Sequence, residues 1–408
     1  MTAVPAAVPW IKKLVSFPTI SQSSNLELLE LIEAEFRTYG FEPSYSYSAD
    51  RQRANLFVTV PAADGRTTGG LVISGHTDVV PVQGQQWQTD PFTAQIQDGR
   101  LYGRGVADMK SFLGVALWLL PQLARLNLTK PLHFAFTYDE EIGCLGAPSM
   151  IQDFLSRGIK PDFAIVGEPS GMQPIIAHKG AHRGRVTFRG VAKHGSLAPY
   201  GVNALVPAGE FILFLDELAQ RWLQEGPYQS GFTPACSTIG AHQVTGGIQY
   251  NIVGQDAVVE YDLRTIPTTG TAEVVELLEA KIFKQLLPQL QERAAQAESL
   301  SAAEPSSLVR QVSASHELLA QVPALNTPED HEILALGRQF AGLKASDAAA
   351  LKVSYGTEAG QYQQAGIASI VCGPGSIAQA HTAQEWIELE QINRCQQFMI
   401  KLLDWAQS

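Results

Sequence analysis

The sequence predicts an α/β protein: a mostly parallel sheet with helices on both faces, carrying an inserted α+β domain. Three observations predict it. Short apolar runs of strand length alternate with longer stretches of helical period, the pattern of a parallel sheet. Several of those runs end directly in an acidic residue or a histidine. In the middle of the chain the pattern changes to strands bracketing a helix, which marks a separate module.

Residues 8 to 40 carry apolar positions at helical spacing and end at Gly40, so a first helical stretch is expected there. Asn55 to Val60 reads as a strand, and the turn-rich Pro61 to Gly70 leads into the apolar run Leu71 to Ser74. Gly75 then lets the backbone turn, and His76 and Asp78 follow two residues apart. Pro81 to Asp98 is irregular. Asp108 stands just ahead of an apolar helical stretch, Phe112 to Leu126. Leu132 to Tyr138 is a strand ending in Asp139-Glu140-Glu141, with a helix expected over Pro148 to Arg157. Phe163 to Gly167 is a strand ending in Glu168, and Ser369 to Cys372 is another that reaches His381 a few residues on.

Between these, Arg185 to Arg189, Ser237 to Val244 and Ala257 to Leu263 read as strands. Ala204 to Gln224 and Val274 to Ala297 read as helices, and residues 298 to 310 as a solvated connector. The expected division is residues 1–182 with 312–408 as one domain, and 183–311 as the insertion.

A chain of 408 residues exceeds what one hydrophobic core supports, in keeping with that division. Its net charge of −11 argues against nucleic acid or an anionic membrane as partner. No apolar run approaches the roughly 18 residues that span a bilayer. The N-terminus lacks the basic and apolar pattern of a secretory signal. The 4 cysteines are widely spaced and read as reduced thiols of a cytoplasmic protein.

The residues of chemical interest share one topological place. His76, Glu140 with Glu141, Glu168 and His381 each follow an apolar strand, and Asp108 opens a helix. Ligand sites in open α/β sheets form outside the carboxyl ends of the strands, so these side chains would converge on one rim. Two imidazoles with several carboxylates suit zinc, with cobalt or manganese as alternatives. One carboxylate bridging two ions about 3.5–4 Å apart would make a two-metal hydrolytic site. Asp78, two residues after His76, is placed to orient its ring. Gly103-Arg104-Gly105 lacks the third glycine and preceding strand of a phosphate loop.

Four strings carry a resemblance: Ser-Gly-His-Thr-Asp-Val-Val-Pro, Gly-Arg-Gly-Val-Ala-Asp-Met-Lys, Asp-Glu-Glu-Ile-Gly-Cys and Val-Gly-Glu-Pro. In that order they resemble the M20 metallopeptidase family of two-zinc amidohydrolases, from about residue 70 to residue 385. Within it, 372–381, Tyr355 to Gly360 and His178-Lys179-Gly180 are most similar to the acetylornithine deacetylase branch. The resemblance implies one ion on His76 and Glu168, a second on Glu141 and His381, and Asp108 bridging them. It implies Asp78 as the orienter of His76 and Glu140 as general base, with two divalent ions, zinc or alternatively cobalt, as cofactors.

It further implies that His194 in Ala-Lys-His-Gly-Ser donates to the substrate's oxyanion, often from the partner subunit of a homodimer, with the inserted domain as lid and dimerisation module. Asn251 and Arg264 resemble substrate-contacting positions, and Gly356, Thr357 and Glu358 resemble residues near the substrate side chain. Many relatives have Ser where Gly195 stands, and a proline where Gly254 stands. The implied activity is hydrolysis of the amide of a small N-acyl amino acid, N2-acetyl-L-ornithine above all, in arginine biosynthesis. Other activities of the family, such as succinyl-diaminopimelate desuccinylase, aminoacylase or dipeptidase, share the metal strings. A non-catalytic metal-binding protein keeping the fold should have lost its general base, and Glu140 is present.

Overall fold

The computed structural model describes residues 4–300, 307–344 and 351–408. The chain forms two compact units, Met1–His178 with Leu325–Ser408, and Lys179–Ala324. Where the sequence suggests boundaries near 182 and 311, the chain divides at 178 and 324, because Gly180–Arg189 and Ser313–Val322 pair with each other in the second unit's sheet.

The first unit is built on a nine-stranded sheet. Its centre is four parallel strands in the order Leu132–Thr137, Leu71–His76, Phe163–Pro169, Ala368–Gly373. Every residue of the first two is buried, as the near-continuous apolar runs of a sheet covered on both faces require. Antiparallel strands flank this centre: Ala54–Val60 and Pro43–Tyr47 on one side, Ile175–His178 and Leu325–Asn326 on the other, and the ninth strand, Leu351–Val353, pairs parallel with Ile175–His178. The carboxyl ends of the parallel strands therefore lie along one rim. A separate three-stranded sheet of Gln95–Gln97, Arg100–Tyr102 and Trp386–Glu388 ties the segment after His381 to the segment before Asp108.

The helical stretch expected over residues 8 to 40 is two helices, Val8–Val15 and Leu26–Thr38. Pro18 cannot donate a helical hydrogen bond, and the intervening segment is used elsewhere. The amide of Val79 donates to Thr19 O at 3.0 Å, and the amide of Ser21 to Val79 O at 3.1 Å, so the break braces the loop after His76. The expected 112–126 helix begins at Lys110 and ends at Trp118, before a second short helix, Leu120–Leu123, with Pro121 in its first turn.

Close packing beneath the rim makes one stability test sharp. A Cβ on Gly373 would lie 1.9 Å from the carbonyl oxygen of Gly167 and 2.6 Å from that of Glu168, and neither backbone can withdraw. Gly373→Ala is expected to destabilise the first unit by about 1–3 kcal/mol, read from urea unfolding. An unchanged unfolding midpoint would contradict this.

The second unit has a four-stranded antiparallel sheet ordered Thr238–Gly246, Asp256–Thr265, Gly180–Arg189, Ser313–Val322. Leu205–Glu225 and the helical stretch from Thr271 cover one face, around Val186, Phe188, Phe211, Leu215, Leu263 and Leu278. The expected 274–297 helix runs as Thr271–Lys281, a π turn Ile282–Leu286, and Leu287–Ser299. The expected 298–310 connector falls partly outside the described residues, and Leu308–Arg310 forms one 3-10 turn. Among the described residues no helix is long and apolar enough to cross a membrane.

Candidate active site

Two ligand clusters meet at the rim of the first unit. His76, Asp108 and Glu168 form one, and Asp108, Glu141 and His381 the other; within each, one ligand atom per residue lies within 4.8 Å of the rest. Asp108 belongs to both. Its Oδ1 lies 2.9 Å from His76 Nε2, and its Oδ2 lies 3.2 Å from His381 Nε2. His76 Nε2 is 3.6 Å from Glu168 Oε1, and His381 Nε2 is 2.9 Å from Glu141 Oε2. The sequence-predicted ligands thus come together from five separate segments. His76 and Glu168 lie within strands of the sheet, so their backbones are held by ladder hydrogen bonds. His381 sits on a loop with φ of 62° and is half exposed.

The ring of His76 is aimed by its own loop. Nδ1 lies 2.8 Å from the carbonyl oxygen of Asp78, which can only accept. Nδ1 therefore carries a proton, and Nε2, facing Asp108 and Glu168, is the atom that could hold a cation. The Asp78 carboxylate stands farther off, at 3.5 Å from Nδ1. Its closer partners are the Ser21 hydroxyl at 2.8 Å and the amides of Glu140 and Glu141 at 3.0 and 3.3 Å. One aspartate thus orients His76 through its main chain and holds the Glu140-Glu141 turn through its side chain. That turn starts at Asp139, whose φ of 52° suits a short polar residue. Glu140 belongs to neither cluster, and its Oε1 accepts from the buried Cys144 thiol at 3.1 Å.

The donor set fits cations. Glu141 Oε1 and Glu168 Oε1 are buried and accept no hydrogen bond, an unfavourable state for a carboxylate unless a positive charge sits beside it. Crowding shows in the proton affinities. Burial pushes Glu140 up to about 8, with repulsion from Glu141, Glu358 and Asp108 adding to it. Burial and Asp108 raise Glu141 to about 7. Hydrogen bonds to Asp108 and Glu141 raise His381 to about 10. Burial opposes ionisation of Asp108, but His381 and His76 hold its carboxyl below the usual range.

The upward shifts set a pH dependence. Each of those three groups binds its proton more tightly in the folded chain than in the unfolded one. Their contribution to folding is therefore intact in mild acid and is lost as pH rises through about 7, 8 and 10. Asp108 acts oppositely, but only below about pH 4. The metal-stripped protein should lose thermal stability between about pH 5 and pH 8, and added Zn²⁺ should raise its midpoint more at the higher pH. A stripped protein whose midpoint rises over that interval would refute this reading of the site.

Other sequence-selected residues belong to neither cluster. In the second unit, His194 is exposed and precedes a 3-10 turn, with Nδ1 accepting from the Ser196 amide at 3.2 Å. The 193–195 segment pairs with 251–253: the Gly195 amide donates to Asn251 O at 2.6 Å and the Val253 amide to Lys193 O at 2.8 Å. His194 and Asn251 are thereby neighbours. Arg264 makes a two-point ion pair with Asp262, at 2.6 and 3.0 Å, from an interior strand of that sheet. In the first unit, Glu358 is wholly buried and accepts from Ser74 Oγ at 3.3 Å, and Thr357 Oγ1 accepts from the Ala359 amide. Thr357 and Glu358 thus support a helix start and the strand beneath His76.

Sequence reasoning passed over Ser21 and Glu385, and read Cys144 only as a reduced thiol. Ser21 lay inside an assumed helix and carried no signal. Glu385 carried one: a carboxylate four residues after a candidate ligand, directly before the apolar Trp386-Ile387.

Comparison with known proteins agrees with this geometry. The sequence profile of Peptidase family M20/M25/M40 matches residues 72–405. Acetylornithine deacetylase of Proteus mirabilis (strain HI4320) is 32% identical over 408 residues, covering 98% of this chain and 97% of that protein. That of Pasteurella multocida (strain Pm70) is 29% identical, covering 99% and 98%. Among solved structures, the M20 family metallo-carboxypeptidase Sso-CP2 from Sulfolobus solfataricus superimposes with a TM-score of 0.69 at 16% identity, covering 98% of both chains. The Bacillus subtilis YXEP protein, a dinuclear metal binding peptidase of the M20 family, gives 0.61 at 14% identity, covering 98% and 97%. Fold, ordered ligand strings and a profile match over most of the chain agree, and the chain belongs to peptidase family M20/M25/M40, as a metal-dependent amidohydrolase.

Proposed function

We propose that the protein hydrolyses N2-acetyl-L-ornithine to L-ornithine and acetate, a step of arginine biosynthesis in the cytoplasm. The observation that carries the chemistry is the division of one carboxylate between two ligand clusters. Asp108 offers Oδ1 to the His76 side and Oδ2 to the His381 side. The substrate is supported by the similarity to acetylornithine deacetylases over nearly the whole chain.

In this reading His76, Asp108 and Glu168 hold one divalent ion, and Asp108, Glu141 and His381 hold the other; zinc is proposed, with cobalt as a working substitute. Such a pair supplies Lewis acidity towards the amide carbonyl and makes a nearby water easier to deprotonate. Glu140, outside both clusters, takes the proton of the attacking water and delivers it to the departing amine. Its raised proton affinity suits both halves of that transfer. Asp78 keeps Glu140 in place through the Glu140 amide and aims His76 through its own carbonyl.

His194 is assigned to the developing oxyanion, supplied by the partner subunit of a homodimer, and Asn251 and Arg264 to the substrate's polar groups. For Arg264 to grip a carboxylate, its pairing with Asp262 must be exchanged or shared. The family resemblance is what supports these three assignments.

Steady-state rates on acetylornithine, succinyl-diaminopimelate and acetylmethionine, with Zn²⁺ or Co²⁺ added, test the reading. The highest kcat/KM is expected for acetylornithine. A clear preference for another substrate would replace it within the family, and metal-independent turnover would overturn the mechanism. Sedimentation as a monomer would remove the partner's role for His194.

A further inference from the structure

The second ligand cluster joins residues far apart in sequence, Asp108 with Glu141 and His381, and one of them stands on a half-exposed loop. Something must hold that loop against the segment bearing Asp108. The structure supplies it in Glu385, four residues beyond His381 and wholly buried.

The Glu385 carboxylate is saturated by donors from one segment. Oε2 accepts from Arg104 Nη1 at 2.7 Å and from the Gly105 amide at 2.9 Å. Oε1 accepts from the Ala107 amide at 2.8 Å and the Asp108 amide at 3.1 Å. The main-chain oxygen of Glu385 accepts from the Gly103 amide at 3.0 Å. Residues 103–108 are thus wrapped around one side chain of the His381 segment, and the last of them is the shared ligand.

A second path closes the loop. Arg104, buried with Glu385, also donates through Nη2 to Gln85 Oε1, and Gln85 Nε2 donates to the main-chain oxygen of His381 at 2.8 Å. Trp87 Nε1 donates to the same Gln85 oxygen at 3.2 Å, and the Arg104 guanidinium lies over the Trp87 ring. Asp108 and His381 are therefore tied together twice, by Glu385 on one side and by Arg104 and Gln85 on the other. Neither path touches the ligand atoms themselves.

We propose that Glu385, with Arg104 and Gln85, is a positioning device that sets the distance between Asp108 and His381 and thereby the affinity of the Asp108–Glu141–His381 cluster for its ion. Groups that orient ligands tune a metal site without binding the metal. A glutamine at 385 keeps the shape but turns an amide nitrogen towards the segment's donors and leaves the Arg104 guanidinium buried without its anion. Gln85 is part-exposed and bears no charge, so its removal loosens His381 without burying an unpaired ion.

The proposal rests on the two-ion reading of the site, and its test separates the two. Metal-stripped wild type, Glu385→Gln, Gln85→Ala and His381→Ala are titrated with Co²⁺, following stoichiometry and the visible absorption of the bound ion. Wild type is expected to take two equivalents. Glu385→Gln should keep one at wild-type affinity and bind the other about 10–100-fold more weakly, and Gln85→Ala should shift the same equivalent by less. Adding Glu385→Gln to His381→Ala should change little, because both act on one cluster. If Glu385→Gln weakens both equivalents alike, its role is general to the fold and the proposal is overturned. Wild-type affinity for both equivalents in Gln85→Ala also overturns it, whether or not Glu385→Gln folds. A wild type that takes fewer than two equivalents overturns the two-ion reading itself.

Discussion

Glu140→Gln should lower kcat by about 10²–10⁴-fold while leaving Co²⁺ binding unchanged. Glutamine fills the same space but cannot take a proton from water or return one to an amine. Glu140 is outside both ligand clusters, so its loss removes no metal-binding atom. The hydrogen bond from its backbone amide to Asp78 Oδ1 is a main-chain contact and survives the substitution. The Cys144 thiol can still donate to the remaining carbonyl oxygen. The substitution therefore separates proton transfer from metal loading. Turnover within a factor of two of wild type would exclude Glu140 as the base. Loss of a metal equivalent would place it among the ligands instead.

Asp108→Asn should have the broader effect, on metal loading as well as turnover, because one side chain serves both clusters. An asparagine presents one oxygen and one amide nitrogen where the aspartate presents two oxygens to His76 and His381. Only one cluster can keep its third donor, and the negative charge between the two imidazoles is gone. We expect at most one tightly bound equivalent and a fall in kcat/KM of at least about 10³, equivalent to about 4 kcal/mol of lost transition-state stabilisation. Metal analysis and steady-state kinetics read both quantities. Two tightly held equivalents in this variant would show that Asp108 is not the shared ligand.

The two predictions draw on different levels of information. That His76, Asp108, Glu141, Glu168 and His381 belong together was legible in the chain, since each stands where an apolar strand ends or a helix begins. In a parallel sheet those ends share a rim, so local pattern alone implies convergence. The break between Val15 and Leu26 was not legible as a brace for the His76 loop. Helical period on both sides of Pro18 suggested continuity, and the hydrogen bonds that replace the helix there run to residues about sixty positions away. The strand Ser313–Val322 was missed because its alternation shifts at an irregularity between Leu318 and Ala320, which leaves the apolar Leu318 exposed.

By itself the sequence determined the fold class and placed the candidate ligands at strand ends on one rim, because these follow from residue type and strand-end position; the choice of Glu140 as general base came from the family resemblance. The tertiary structure decided which ligand faces which. It divided Asp108 between two clusters and gave the Asp78 carboxylate closer partners in the Glu140-Glu141 turn than in His76. It also made Glu385 the clasp between the loops of Asp108 and His381. The physical reason is directional. A hydrogen bond or a ligand contact is settled within a few tenths of an ångström, and such distances between distant segments exist only once the sheet has brought their ends together.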